Sequence, residues 1–403
     1  MTSNNQVCGF SKLNKKVISS GLCCFCGTCV SACPSDNIAI NYKTEEPYQI
    51  NKSICSRNCH LCWSVCPGKV LQYPQLEKIF LGRERTDSEW ELGIYSYLTA
   101  GSATETEIRE AGTSGGIGTV LLKQALQSKL VGGVVIASTD KLIPWQGIPF
   151  YTNNEDSIKR NARSKYVPIP MNAAIKAAIK KYGKIAITAL PCQVAGIRKA
   201  QINRLKDFQQ IEVIIGIACG YCAHASLYEH IISELLGIPL PEVESVEFRG
   251  GPYPGEFRVY KKNGLLVSCP SNIRIMMAFS FIRDRCSMCI DWGAELADIT
   301  LADLFTKQEC DESGKRLGNT AVIVRTSSGD KLIKSAEEAG RVSLFPLSQE
   351  ELSGNIGLEW KKHGFAKHLE IRREKGWPVP DFGIRGSLEP WPRKMHIYNR
   401  QET

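Results

Sequence analysis

The chain has no apolar run of the roughly 18 to 20 residues that a membrane-spanning helix requires, and its longest candidate, Ile211 to Ala218, has the length of a strand. No direct membrane span is expected. The N-terminus, Met1 to Phe10, lacks the basic start and apolar core of a secretory signal, so the expected compartment is a reducing, cytoplasmic one in which disulfides are a poor use of thiols. Low-complexity segments are missing too. With 43% hydrophobic and 23% charged residues over 403 positions, the sequence is too apolar for disorder and too long for one ordinary domain. Concentrated charge is also lacking. The formal charge is +9, yet basic residues come in scattered pairs such as Lys15-Lys16, Lys180-Lys181 and Lys361-Lys362. No nucleic-acid partner is expected; acidic protein partners or a phosphate-bearing cofactor suit this charge better.

What the sequence has in excess is cysteine. Its 17 cysteines are about 4% of the chain, too few for a disulfide scaffold and far more than an average soluble protein carries. Ten fall in the first 80 residues. Cys23-x2-Cys26-x2-Cys29-x3-Cys33-Pro34 has the spacing by which three thiolates grip one 4Fe-4S cluster while the fourth, beside a proline, ligates a second. Cys55-x3-Cys59-x2-Cys62-x3-Cys66-Pro67 repeats it. Crossed ligation then gives one cluster on Cys23, Cys26, Cys29 and Cys66 and another on Cys55, Cys59, Cys62 and Cys33. Short strands at Asn37 to Ile40 and Val70 to Tyr73 match those that wrap such a pair. Structural zinc is the competing use of thiolates, but zinc sites pair two short hairpins rather than two runs of four ending in Cys-Pro. The extra residue between Cys55 and Cys59 departs from the motif. Cys24 points away from the cluster if Cys23 binds it, or else is the ligand in its place.

From about residue 92 the pattern changes to strands alternating with helices. Strands are expected at Val131 to Ser138, Lys184 to Leu190, Ile211 to Ala218 and Ala321 to Thr326. Helices are expected at Ile117 to Lys129, Met171 to Lys181, Ser226 to Leu236 and Asp330 to Ala339. This predicts a mixed α/β domain with a largely parallel sheet over 92–360, preceded by a ferredoxin-like double-cluster module over 1–82 and followed by a tail, 361–403, draped on the domain. Asn263-Gly264, flanked by alternating residues, marks a hairpin between Glu256 and Ser268.

Four further cysteines fall at turns of this domain. Cys192 follows one strand and Cys219 ends another. The carboxyl ends of parallel strands share an edge where α/β proteins place their sites, so these two converge there. With Cys286 and Cys289 they form a third four-thiolate set, the plainer alternative being buried free thiols. Cys8, Cys24, Cys222, Cys269 and Cys310 are left to packing or surface.

A loop before the first helix of the domain, Thr113-Ser114-Gly115-Gly116-Ile117, offers a hydroxyl cap and two glycines that admit an anion to unpaired backbone N–H groups. The alternative is a simple turn. Lys159, Arg160, Arg163 and Lys165, with Tyr166, form a basic loop suited to phosphate or to solvent. No general acid or base stands out.

These motifs, with Ser164-Lys165-Tyr166, Leu190-Pro191-Cys192-Gln193, Gly216-Ile217-Ala218-Cys219, Cys286-Ser287-Met288-Cys289-Ile290-Asp291 and Ala294-Glu295-Leu296-Ala297-Asp298 in that order, resemble the coenzyme F420 hydrogenase/dehydrogenase beta-subunit family. The resemblance covers roughly residues 92 to 380, and the double-cysteine module resembles its longer members, as in F420-dependent formate dehydrogenase or F(420)H(2) dehydrogenase. It implies an oxidoreductase with FAD beside a 4Fe-4S cluster in a flavin-binding α/β domain, Cys192, Cys219, Cys286 and Cys289 as that cluster's ligands, Thr113 to Ile117 on the FAD phosphates, and Lys165 and Tyr166 near FAD or substrate. Lys165 is the one catalytic candidate, through charge stabilisation. One departure is Thr-Ser-Gly-Gly where the hydrogenase subunits carry Asp before the glycines. The implied partners are coenzyme F420 or a related hydride carrier and a redox subunit or ferredoxin. A ferredoxin- or NAD-linked reductase, or an electron wire without flavin, are the alternatives.

Overall fold

In the computed structural model, which describes residues 8–310, 316–353 and 356–384, the chain builds three sheets. Strands β1 (Ile38–Asn41) and β2 (Glu46–Gln49) form an antiparallel pair beside the first cysteine motif. Strands β3 (Tyr97–Ala103), β4 (Gly133–Thr139), β5 (Gly147–Thr152), β6 (Ile185–Ala189) and β7 (Ile211–Ile217) enter the main sheet. Next, β8 (Val243–Gly250), β9 (Glu256–Lys261) and β10 (Leu266–Cys269) make a separate three-stranded sheet that contains the hairpin at Asn263-Gly264. The last three, β11 (Ile299–Cys310), β12 (Arg316–Val324) and β13 (Val342–Pro346), return to the main sheet, whose order is β13-β3-β12-β11-β7-β6-β4-β5.

That sheet is mixed, not largely parallel. Only β4 with β6, β6 with β7 and β7 with β11 run parallel. The connections from β4 to β5 and from β11 to β12 are too short for a helical crossover, so each pair folds back as an antiparallel ribbon. Side chains alternate between two cores. Val134, Ile136, Ala186, Val213 and Ile215 face the helices Ile117–Gln127 and Ser327–Glu338. Val135, Ile185, Ile187 and Ile214 face the opposite side, where Val194, Ala195 and Ile197 of the helix Pro191–Ile202 pack. Burial on both faces explains why these strands read as unbroken apolar runs.

Two helices differ from their sequence pattern. The expected helix from Met171 begins with a tight 3-10 turn, Met171–Ala174, before Ile175–Tyr182. The one from Ser226 widens into a π-helical turn at Ile231–Leu235. The segment Val70 to Tyr73 forms no strand within the cysteine module. It makes one bridge to Asp381, with Leu71 N–H donating to Asp381 O at 2.7 Å and Tyr73 N–H to Phe382 O at 2.9 Å. Pro74 then starts the helix Tyr73–Phe80, where a missing N–H costs nothing. Residues 385–403 of the tail lie outside the described residues, as do 1–7 of the N-terminal module.

The first cysteine motif is seated directly on the α/β domain. Asn172 donates its side-chain N–H to Thr28 Oγ1 at 2.8 Å and to Gln193 O at 2.9 Å, and its backbone N–H to Cys26 O at 3.0 Å. Between those anchors Gly27 has φ +82°, and a Cβ there would lie 2.6 Å from Ala173 N and 2.7 Å from Pro170 O. Both obstacles are backbone and cannot swing away. Gly27→Ala is therefore expected to cost on the order of 3 kcal/mol, from the left-handed conformation and the clash together. A lowered midpoint of thermal unfolding checks it; an unchanged midpoint contradicts it.

A strap from Trp360 to Glu374 crosses the far side. Its Lys361 and Lys362 are 2% and 1% exposed. Lys362 Nζ is 2.5 Å from Glu295 Oε1, and Arg85 Nη2 is 2.6 Å from Glu295 Oε2. Two cations thus converge on one buried carboxylate, which ties the strap to the segment after Cys289.

Candidate functional site

The two cysteine motifs fold as loops leading into single helical turns, Thr28–Ser31 and Leu61–Ser64, which leaves backbone N–H groups free to point at sulfur. Phe25 N–H approaches Cys23 Sγ at 3.4 Å, Asn37 N–H approaches Cys33 Sγ at 3.3 Å and Gly68 N–H approaches Cys66 Sγ at 3.3 Å. The thiols group across the motifs. Cys66 has Cys26, Cys24 and Cys23 as neighbouring thiols, whereas Cys62 has Cys55, Cys59 and Cys33. Cys23, Cys26, Cys29 and Cys66, with Cys24, line one small cavity roofed by Leu13, Val17 and Ile18. Burial pushes Cys23 up to about 12, Cys26 to about 11 and Cys62 to about 12. Thiols this buried and this close become thiolates only where a cation shares their charge, which fits a metal-binding donor set.

Cys24 does not turn away from its neighbours. It faces Cys192, and the hydrogen bond from that thiol, with burial opposing and Arg285, Arg283 and Lys361 assisting, brings Cys24 down to about 6.

Cys192 sits in the first turn of Pro191–Ile202. Gln193 fixes that turn by accepting from Leu190 N–H at 2.7 Å and donating to Ile169 O at 2.8 Å. Cys286 and Cys289 flank a single 3-10 turn, and Cys219 N–H is held by Trp292 O at 2.9 Å. The fold brings all four together: Cys286 neighbours Cys192, Cys219 and Cys289. Burial pushes Cys219 up to about 12. Cys222 joins this group, beside Cys286 and Cys219, where sequence reading assigned it to packing. Lys361 from the strap lies against Cys289, Cys219 and Cys286; burial disfavours its charge, but those thiols more than offset that and raise it. Among the described residues no three Cys, His, Asp or Glu side chains are grouped as ligands of a single metal ion. A cluster holds its thiolates around a cage, farther apart than around one ion.

A separate cavity of about 370 Å³ opens where the glycine-rich loop meets the three-stranded sheet. Its walls carry four guanidinium groups, Arg109, Arg163, Arg249 and Arg258, against two carboxylates, Glu110 and Glu247, with Tyr253 and Tyr260 beside them. Gly112, Thr113 and Ser114 line it. Gly115, Gly116 and Ile117 do not: Gly115 N–H donates to Thr320 Oγ1 at 2.9 Å, Gly116 caps the helix at φ +77°, and Ile117 is buried in the core. The cap is this glycine, with no side-chain bond, rather than Thr113 or Ser114. Thr113 Oγ1 instead accepts from Ser164 N–H at 2.7 Å, which joins this loop to the basic one.

Lys165 turns inward. Its Nζ donates to the carbonyls of Asn161, Ala162 (2.8 Å) and Arg163 (3.1 Å), and burial, with the charge of Arg163, brings it down to about 7. It clips the basic loop shut. Tyr166 accepts from Arg249 Nη1 at 3.1 Å and lies under the Arg274 guanidinium, 4.5 Å from its ring centre. Tyr221 neighbours Tyr166 and Arg274 as well as Cys219 and Cys222, so aromatic side chains link the cavity to the third thiol set.

The organising residue of the cavity is Arg249, which sequence reading missed. Its Nε donates to Pro254 O at 2.6 Å and Nη2 to Thr113 O at 3.4 Å, while Nη1 pairs with Asp303. The signal was an arginine opening the turn-dense run Gly250-Gly251-Pro252-Tyr253-Pro254-Gly255. Asp298, in contrast, is structural: it accepts from Ile214 N–H at 2.8 Å and pairs with Arg198 at 3.1 Å.

Residues 98–176 match the family model for the N-terminal part of the coenzyme F420 hydrogenase/dehydrogenase beta subunit, and residues 182–350 match the model for the C-terminal part of the same beta subunit. The coenzyme F420 hydrogenase subunit beta of Methanothermobacter thermautotrophicus is 30% identical over 301 residues, covering 72% of this chain and 99% of that protein. The F subunit of the F(420)H(2) dehydrogenase of Methanosarcina mazei is 24% identical over 365 residues, covering 88% and 93%. The coenzyme F420-dependent sulfite reductase of Methanocaldococcus jannaschii is 27% identical over 379 residues, and this chain spans 52% of its length. A chain in the solved F420-reducing nickel-iron hydrogenase complex from Methanosarcina barkeri shares the fold, with a TM-score of 0.59 at 22% identity over 74% of this chain and 99% of that one.

Proposed function

The chain belongs to the coenzyme F420 hydrogenase/dehydrogenase beta-subunit family, and from that premise we propose that it is an iron-sulfur flavoprotein subunit passing electrons between coenzyme F420 and a partner redox protein. Its class is oxidoreductase. The observation that supports the finer reading is the grouping of the motif thiols across the two runs and around Cys286, where Cys222 joins Cys192, Cys219 and Cys289, with this last group linked through Tyr221 and Tyr166 to an arginine-lined cavity.

In this reading a bound FAD would supply the conversion between two-electron hydride chemistry and the one-electron chemistry of clusters. The chain's own residues position and exclude. Arg249, Arg109 and Arg258, which line the cavity, would hold the anionic end of the flavin cofactor, since guanidinium forks match phosphate oxygens. Tyr166, braced by Arg249 and Arg274, closes the wall towards the third thiol set. Thiolate charge at that set is countered by Lys361, and the motif backbone N–H groups do the same at Cys23, Cys33 and Cys66. Lys165 is a positioning residue for the loop rather than a catalytic one.

Anaerobic reconstitution followed by cofactor counting tests the reading, with about twelve iron atoms and one FAD per chain expected. Zinc without acid-labile sulfide, or clusters with no flavin taken up, overturns it. Mixing the reduced protein with F420, NAD and ferredoxin in turn tests the substrate; faster exchange with NAD overturns the deazaflavin assignment.

A further inference from the structure

We propose that the set Cys33, Cys55, Cys59 and Cys62 is the chain's outer electron port, and that the basic face around it docks a small acidic one-electron carrier protein. This rests on the reading above, in which that set holds a cluster.

Two segments build the face. Gly9 N–H donates to Cys59 O at 2.9 Å, and a Cβ on Gly9 would lie 2.7 Å from His60 Cα, so the first helix is pressed against the second motif. Lys12 Nζ lies 4.5 Å from the centre of the Trp63 ring, next to Cys62. Together, residues 8–20 and 50–60 carry Lys12, Lys15, Lys16, Lys52 and Arg57 and not one Asp or Glu. All five are exposed. Some surface lysines elsewhere are matched by carboxylates, as Lys184 is by Glu212 and Lys176 by Asp36, whereas none of these five has such a partner among the described residues. The nearby Glu45 is 5% exposed and spent on His224, Arg283 and the Ala225 N–H, so it does not screen the patch.

Among these charges sit Ile50 and Ile54, which are 60% and 54% exposed, and Cys55 is half-buried directly after Ile54. An apolar centre with a charged rim is the anatomy of a transient interface, in which the rim steers the encounter and the small dry centre seats it. Each set has two buried and two half-buried thiols, but the half-buried pair of the second set, Cys55 and Cys59, lies within the exposed run 50–58 and next to it, so the second set is the one a partner can approach. A carrier protein, and not a nucleic acid, is the occupant that uses such a port. In each encounter the carrier gains one electron and the chain loses one, reduced deazaflavin being the source.

The test uses the full chain, reconstituted, with Lys12→Glu, Lys52→Glu and Arg57→Glu combined. Reduction of a purified acidic two-cluster ferredoxin and of methyl viologen by F420-reduced protein is followed by stopped flow at low and high salt. The expected result is a ferredoxin rate roughly 10- to 100-fold lower in the variant at low salt, loss of its salt dependence, and an unchanged viologen rate. A variant that reduces ferredoxin at the wild-type rate overturns the proposal, as does wild-type protein that binds phosphatidylserine vesicles more tightly than ferredoxin. Absence of acid-labile sulfide defeats the functional reading itself; intact clusters and viologen reduction with unaltered ferredoxin kinetics defeat only the docking face.

Discussion

Removing Cys66 together with Cys29 is expected to cost one cluster, and removing Cys66 together with Cys62 is expected to cost two. Iron content should fall from about twelve atoms per chain to about eight in Cys29→Ala/Cys66→Ala and to about four in Cys62→Ala/Cys66→Ala. The reason is the crossing of the motifs. Cys66 comes from the second run, yet its neighbouring thiols are Cys26, Cys24 and Cys23, and with Cys29 they line one cavity. Cys62 neighbours Cys55, Cys59 and Cys33. If each motif instead held its own cluster, the two double variants would exchange results. Alanine leaves three thiolates for a four-cornered cage, and these buried thiols have no reason to ionise without the metal. FAD content, measured in the same samples, reports whether the α/β domain is intact.

The expectation of crossing came from spacing alone, because a cluster would impose its ligand intervals on the chain and a twofold repeat shows them twice. Other parts were less legible for physical reasons. The antiparallel returns of β5 and β12 look, in composition, like any buried strand; Val322 and Val324 are apolar because helices cover them, and nothing in that pattern encodes direction. Lys165 read as a group near FAD or substrate that could stabilise charge because a positive charge in a loop is visible in sequence, whereas the three carbonyls that hold it inward are backbone and leave no mark. The glycine pair 115 and 116 read as a ligand cradle. Only the sheet shows that Gly101 O and Thr320 N occupy the space a side chain would need at Gly115. Cys222 was set aside since no motif includes it, and Cys24 was left between packing and replacing Cys23 as ligand; the fold places Cys24 beside Cys192 and Cys222 beside Cys286.

Arg249→Ala is expected to weaken FAD binding about 100-fold, roughly 2.7 kcal/mol, while leaving riboflavin affinity within about twofold. Riboflavin lacks the phosphates, so it separates an anion-binding role from a scaffolding one. Arg249 has both roles. Its side chain is 6% exposed and reaches Pro254 O, Tyr166 and Thr113 O besides pairing with Asp303, whose carboxylate is 22% exposed. Truncation strands that carboxylate without its counter-charge and should lower stability by about 3 kcal/mol, read as a lower unfolding midpoint. Asp303→Asn keeps the guanidinium and frees one of its arms, so it should lower the midpoint but hold FAD affinity close to that of the wild type. Arg249→Lys retains the charge without the planar fork, and its FAD affinity should fall between the two. Equal losses of FAD and riboflavin in Arg249→Ala would make the residue a brace for the loops alone, and the cofactor's anionic end would then have to lie on Arg109 and Arg258 across the same cavity.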